Sequence, residues 1–180
     1  MEDCKMKDLV TSLRESASRS RGREVDATLV FGPGYTSDQV DELSEKNGIY
    51  VAYACEDGGD KYLCKRILYI GKAEGDNDSI KKRVADHIND RDSSDSGKQS
   101  VWERDYCDEG EFVVYNFAEY DSDLHDIEAV LIAKNDVCAN IHNNRGECHT
   151  DAWHVVVNCS GQVGMLHREV NHWKLLRGSK

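Results

Sequence analysis

Five side chains in the middle of this sequence carry what phosphoester hydrolysis requires: Tyr50, Tyr69, Arg83, His87 and Glu128. Phenols and an imidazole can move protons or orient water, a guanidinium can clamp a phosphate, and a carboxylate can hold a divalent cation. Their spacing lets them converge. Tyr50 falls in the run 49–54 and Tyr69 in the run 67–70, both rich in β-branched and aromatic residues, which predicts two strands joined as a hairpin. The two hydroxyls can then share one sheet face. Arg83 and His87 are four residues apart on a predicted helix, so they lie on one side, a turn from each other. Glu128 sits among Leu124, Ile127, Val130 and Leu131 on a second predicted helix, where a carboxylate without a cation or donor is costly. Taken singly, each has a plain structural role: strand tyrosines pack, an Arg and a His on a helix are solvated or satisfied, and a helical Glu pairs weakly with a neighbour such as Lys134. The set, not any member, points to chemistry.

The elements that must position these groups are legible in outline. Leu9, Val10 and Leu13 recur at helical spacing within 5–18 and predict a short amphipathic helix. Gly32-Pro33-Gly34 breaks the chain, and Thr36 or Ser37 can cap a helix running through Val40 and Leu43 to about Lys46, closed by Asn47-Gly48. The polar stretch 55–66, with Gly58-Gly59, predicts a long hairpin loop between the two central strands. Asp76-Asn77-Asp78-Ser79 opens the helix of Arg83 and His87, whose buried stripe is Ile80, Val84 and Ile88. A third strand is predicted over 112–117 and the helix of Glu128 over 123–134. Beyond it, 154–158 and 163–166 predict a hairpin around Ser160-Gly161, and 167–176 a short closing helix. The order is α, then β-β-α-β-α, then a β-rich tail.

With 180 residues, 39% of them hydrophobic and 32% charged, the chain has the composition of one folded domain. The stretch 1–14 is charged from Glu2 and Asp3 onward and no apolar run reaches membrane-spanning length, so the expectation is a cytoplasmic protein with no membrane partner. Seven cysteines, an odd number without a CxxC pair, are expected as reduced thiols. Cys138, His142, Cys148, His149, His154 and Cys159 have no spacing of a closed tetrahedral zinc site. The net charge of −11 opposes binding to phosphates. Basic residues do gather locally (Arg14, Arg19, Arg21 and Arg23; 61–66; Lys72, Lys81, Lys82 and Arg83), which allows a basic face on an acidic body. Acid gathers at 90–95, 105–111 and 119–126. Trp102, Trp153 and Trp173 are expected to pack rather than to stack on bases.

Gly48-Ile49-Tyr50, then Tyr69-Ile70-Gly71, then Arg83 and His87, then Glu128 and Asn140, resembles the signature of the GIY-YIG nuclease superfamily. The resemblance spans about 48–144. It implies an α+β, three-layer fold with a small antiparallel three-stranded sheet flanked by helices. A helical N-terminal extension (1–47) and a β-rich C-terminal extension (145–180) would complete a single domain. It further implies hydrolysis of DNA by water with one divalent ion, Mg²⁺ or Mn²⁺, held by Glu128. Tyr50 would be the general base, helped by Lys72 or His87, because a free phenol titrates near pH 10. Arg83 would hold the scissile phosphate, Tyr69 would position phosphate or water, and Asn140 would be a structural or phosphate-contacting amide. Two departures stand out: the nineteen-residue step from Tyr50 to Tyr69 is long, and Ala139 stands where a proline often precedes the asparagine. The size matches restriction-type members, and cutting both strands suggests a homodimer. The alternatives are a structure-specific or mobile-element nicking nuclease acting with a partner, and a catalytically silent binding module on the same scaffold.

Overall fold

The structure, a computed structural model, describes residues 23–59, 61–88, 105–138 and 148–174. The helix read at 5–18, the arginines at 14, 19 and 21, Trp102, Asn140 and His142 lie outside the described residues. In chain order the elements are β1 (Glu24–Phe31), β2 (Tyr35–Thr36), a 3-10 helix (Ser37–Glu42), β3 (Gly48–Asp57), β4 (Tyr62–Ala73), α1 (Ile80–Ile88), β5 (Phe112–Glu119), α2 (Leu124–Lys134), β6 (His154–Gly161) and β7 (Glu169–Trp173). The class is α+β, as expected, but there are two sheets rather than one.

The first sheet is antiparallel, in the order β2-β5-β3-β4. Its β5-β3-β4 part is the expected three-stranded unit, and β2 adds a two-residue edge. β3 is buried along almost its whole length because both of its faces are covered. Tyr50, Ala52 and Ala54 face Ile80, Val84 and Ile88 of α1. Ile49, Val51, Tyr53 and Cys55 face α2 and the second sheet. A central strand of this kind reads as a continuous apolar run. The long loop expected over 55–66 is mostly strand: Cys55, Glu56 and Asp57 pair with Cys64, Leu63 and Tyr62. The turn closes where the Gly58 N–H donates to the Lys61 carbonyl at 3.1 Å. An exposed ribbon end buries no apolar face, so its sequence looks like loop.

The second sheet has the order β1-β6-β7, with β1 parallel to β6 and β7 antiparallel to it. β1 corrects the helical reading of the N-terminal extension. Val25, Ala27, Leu29 and Phe31 are buried in strict alternation with exposed residues, the period-two pattern of a half-buried strand. The helix expected from Thr36 to about Lys46 is a single 3-10 segment ending at Glu42, opened by a capping box of Thr36 and Gln39. At the far end, β7 occupies the stretch read as a closing helix, and β6 pairs with β7 instead of with 163–166. Residues 163–166 instead form a turn, the Leu166 N–H donating to the Val163 carbonyl. The β6–β7 register places Trp173 opposite His154, and the two rings stack at 3.7 Å. Trp153 meets Trp173 edge-on at 4.9 Å, but Trp173 is exposed and Trp153 half-buried, so neither has the buried packing expected of it. Among the described residues no helix is long and apolar enough to cross a membrane.

One buried carboxylate fastens the helix of Glu128 to the second sheet. Asp126 is fully buried. One of its oxygens accepts the backbone N–H groups of Asp151, at 2.6 Å, and Ala152, at 3.4 Å. The other pairs with the guanidinium of Arg23, which also reaches Asp123 at 2.8 Å. Asp123 has φ +52°, a left-handed conformation uncommon outside glycine, at the entry to α2. Replacing Asp126 by Ala leaves the buried Ala152 amide, the Asp151 amide and the Arg23 guanidinium without this partner, and the expected loss is about 2–4 kcal/mol in urea unfolding. A loss below about 1 kcal/mol would show that the clip is structurally idle.

Candidate active site

The two tyrosines share a face because of strand register. Tyr50 is opposite Gly71 and Ala52 is opposite Tyr69, so the phenols are diagonal neighbours, with ring centroids 6.0 Å apart. Gly71 makes this possible. A Cβ at that position would lie 2.5 Å from Cζ and Oη of Tyr50 and 2.6 Å from Cε1 of Tyr69. Gly48, at the head of β3, is required for a similar reason: a Cβ there would stand 2.2 Å from the Ala118 carbonyl oxygen and 2.9 Å from Cδ1 of Ile80. Both motif glycines are therefore packing requirements, which the sequence reading did not derive.

Helix α1 brings the third and fourth groups. Ser79 caps it, its Oγ accepting the Lys82 N–H at 3.1 Å. With Ile80, Val84 and Ile88 against the sheet, His87 leans over the tyrosines. Its Nε2 is 3.0 Å from the Tyr50 hydroxyl, and its ring centroid is 5.2 Å from that of Tyr69. Arg83, one turn earlier, is half-exposed and is held at Nε by Asp78, 2.8 Å away. The other oxygen of Asp78 accepts the Ser79 N–H at 3.0 Å. A guanidinium held by Nε is oriented so that its Nη pair can serve a phosphate bidentately. Asp78 is thus a positioning residue, read in the sequence only as part of a helix start.

Glu128 arrives from the other side of the sheet. β4 is an edge strand, and α2 runs along it. The Glu128 carboxylate lies close enough to the sheet edge to feel the backbone N–H of Lys72 and the charge of Arg83. Burial is the largest influence on Glu128 and pushes its pKa upward, against the charges of Lys72, His125 and Arg83. Burial also raises Tyr50 well above the ordinary phenol range, followed by its neighbour Tyr69, with Glu128 adding and Arg83 opposing. Tyr69 is raised by burial and then by Glu128, again opposed by Arg83. Tyr50, Tyr69, Arg83 and Glu128 thus act on one another electrostatically, and His87 joins them through its contact with Tyr50.

Of the two groups expected to assist Tyr50, His87 touches it. The Lys72 ammonium instead pairs with Glu74, and its charge acts on Glu128 rather than on Tyr50. Asn140 lies outside the described residues. The allowance for a basic face fares less well. Lys65 pairs with Glu56, Arg66 with Glu111 and Asp108, Lys81 with Asp41 and Glu45, and Arg23 with Asp123 and Asp126. Among the described residues most of the expected basic stretches are matched by acid. Nor do the described residues group three or more His, Cys, Asp or Glu side chains as a metal cage. A lone, partly buried carboxylate still suits Mg²⁺, which keeps several of its waters and takes one or two protein oxygens. The burial that disfavours ionised Glu128 is relieved by a cation beside it. No protein-family model, curated protein or solved structure matches the chain.

The electrostatics of Glu128 set a stability test. Its folded pKa is raised, so the folded protein binds this proton more tightly than the unfolded chain does. The favourable contribution is complete below the unfolded value, about 4.3, and is lost as pH rises through the raised folded value. Glu128→Gln should therefore be more stable than the natural protein at about pH 8, with the difference closing near about pH 4. Urea titrations of both proteins across that range check this. A Gln variant less stable throughout would mean that the ionised acid is structurally favoured.

Proposed function

We propose that this chain is a divalent-metal-dependent DNA endonuclease of the GIY-YIG type, acting in the cytoplasm. The observation that carries the reading is the Tyr50–His87 contact, with Arg83 and Glu128 acting on the same phenol. The β5-β3-β4 unit, with α1 on one face and α2 on the other, supports the three-layer type. A water against Tyr50 Oη attacks phosphorus and gives its proton to that oxygen, while Tyr50 passes its own proton to His87 Nε2. The relay is needed because burial disfavours a free phenolate. It requires a neutral His87 with its other proton on Nδ1. Arg83, braced by Asp78, binds the phosphate oxygens and stabilises the charge that builds on them. Tyr69 orients the phosphate or the water from the adjacent register position. Bound at Glu128, Mg²⁺ or Mn²⁺ would supply Lewis-acid neutralisation of the departing oxygen.

Supercoiled plasmid with Mg²⁺ or Mn²⁺ should be cleaved by the natural protein. Tyr50→Phe and Glu128→Ala should abolish turnover while the fold is retained. Arg83→Ala should lose about 10²-fold or more, and Asp78→Asn should fall between Arg83→Ala and the natural protein. Equal cleavage by the natural protein and Glu128→Ala would refute the assignment. Its absence in both, across ions and DNA forms, would favour the silent binding module.

The matched charges favour a second reading of the task, in which a partner delivers the chain to its DNA as a nicking enzyme instead of a stand-alone restriction-type homodimer. Among the described residues most cations of the expected basic stretches are already paired, so the expected affinity for linear duplex is in the non-specific range, about 10⁻⁴–10⁻⁶ M at physiological salt, with a shallow salt slope. Fluorescence anisotropy with Ca²⁺ in place of Mg²⁺ measures it. Nanomolar binding with a steep slope would restore the stand-alone reading.

A further inference from the structure

The outer end of the β3–β4 hairpin carries two thiols on the face away from the tyrosines. Cys55 and Cys64 are register partners, and their sulfurs are 3.1 Å apart, with the Cys55 S–H donating. Residues directly opposite in an antiparallel ladder have Cα atoms about 4.5–5.5 Å apart, within the span of a disulfide. The two thiols differ in access. Cys55 is fully buried, whereas Cys64 is half-buried and lines a cavity of about 630 Å³ with Pro33, Gly34, Tyr62 and Asn116. It also borders a second depression beside Leu63 and Met165. A small oxidant therefore meets Cys64 first. The hydrogen bond from Cys55 also lowers the pKa of Cys64, favouring its thiolate, while the donated proton is held more tightly on Cys55.

We propose that Cys64 and Cys55 form a hydroperoxide-reactive pair, with Cys64 the attacking thiol and Cys55 the resolving one. The Cys64 thiolate attacks one peroxide oxygen and breaks the O–O bond. Cys64 becomes a sulfenic acid, and the departing hydroxide takes up a proton to leave as water. The Cys55 sulfur then attacks the Cys64 sulfur, releasing the sulfenic oxygen as a second water and forming the S–S bond. Two thiols and one hydrogen peroxide give one disulfide and two waters. Two electrons pass from the sulfurs to the peroxide, and a dithiol reductant reverses the change by exchange. The bond would staple the hairpin next to the register shift at Ala54/Cys55. Nothing in this inference depends on the nuclease reading.

The test uses the full, reduced chain and stoichiometric hydrogen peroxide. The expected result is loss of two hydrogens in the intact mass and of two titratable thiols. Tryptic mapping, with cleavage at Lys61 separating the two cysteines, should show the Cys55 and Cys64 peptides joined, and dithiothreitol should restore the starting mass. Cys64→Ser should prevent the link, and Cys55→Ser should leave a sulfenic acid on Cys64 that dimedone traps. If the buried Cys55 does not tolerate serine, the wild-type map and Cys64→Ser decide alone. A link to any other cysteine, unchanged thiols at peroxide levels that oxidise free cysteine, or Cys64→Ser oxidising like the natural protein would each overturn the proposal.

Discussion

A tyrosine hydroxyl removed from water and set 3.0 Å from one imidazole nitrogen is the interaction around which this structure is arranged. Burial alone makes Tyr50 a poor acid and its phenolate costly. A phenol in that position has two options: packing with its proton satisfied, or accepting a proton at the same moment that it gives one away. His87 makes the second option available, and the Arg83 guanidinium and Glu128 carboxylate act on the same phenol. The geometry in turn depends on an absent side chain, since any Cβ on Gly71 would occupy the place of the Tyr50 ring.

Four elements from three parts of the chain surround this contact. β3 and β4 set the tyrosines by register, α1 sets His87 and Arg83 by its apolar stripe, and α2, packed along β4, carries Glu128. The second sheet backs this assembly. It shares a core with α2 and the far face of β3, and the buried Asp126 ties the start of α2 to both β1 and the entry of β6. The segments on either side of the motif region are thus the support against which the helix of Glu128 is fixed. The paired surface charges add a constraint of another kind: the proposed phosphate site lies on a chain where most described cations of the expected basic stretches are matched by acid.

Much of the site was legible in the sequence because its signals are local. Tyr50 and Tyr69 sit on apolar runs, Arg83 and His87 obey helical spacing, and Ile80, Val84 and Ile88 announce the buried face that orients them. What could not be read depends on distant partners. Asp78 holds Arg83 through a contact that looks like a helix start. Asp126 finds donors at Asp151 and Ala152, twenty-five and twenty-six residues on. The parallel pairing of β1 with β6 joins stretches more than a hundred residues apart, and no local pattern specifies it. β1 is a strand that the sequence analysis missed, although Val25, Ala27, Leu29 and Phe31 alternate locally. β7 was concealed because Glu169–Trp173 is short and polar on one face, so its identity depends on the strand beside it.

The most direct measurement of the central claim is a crystal structure of the chain with Mg²⁺ and a DNA strand whose scissile phosphate resists cleavage. The account predicts the ion on the Glu128 carboxylate, the Arg83 guanidinium on the phosphate oxygens, and a water between the phosphorus and Tyr50 Oη, with His87 Nε2 still behind that oxygen. DNA seated away from this face, or a phosphate with Tyr50 turned from it and no ion at Glu128, would contradict it.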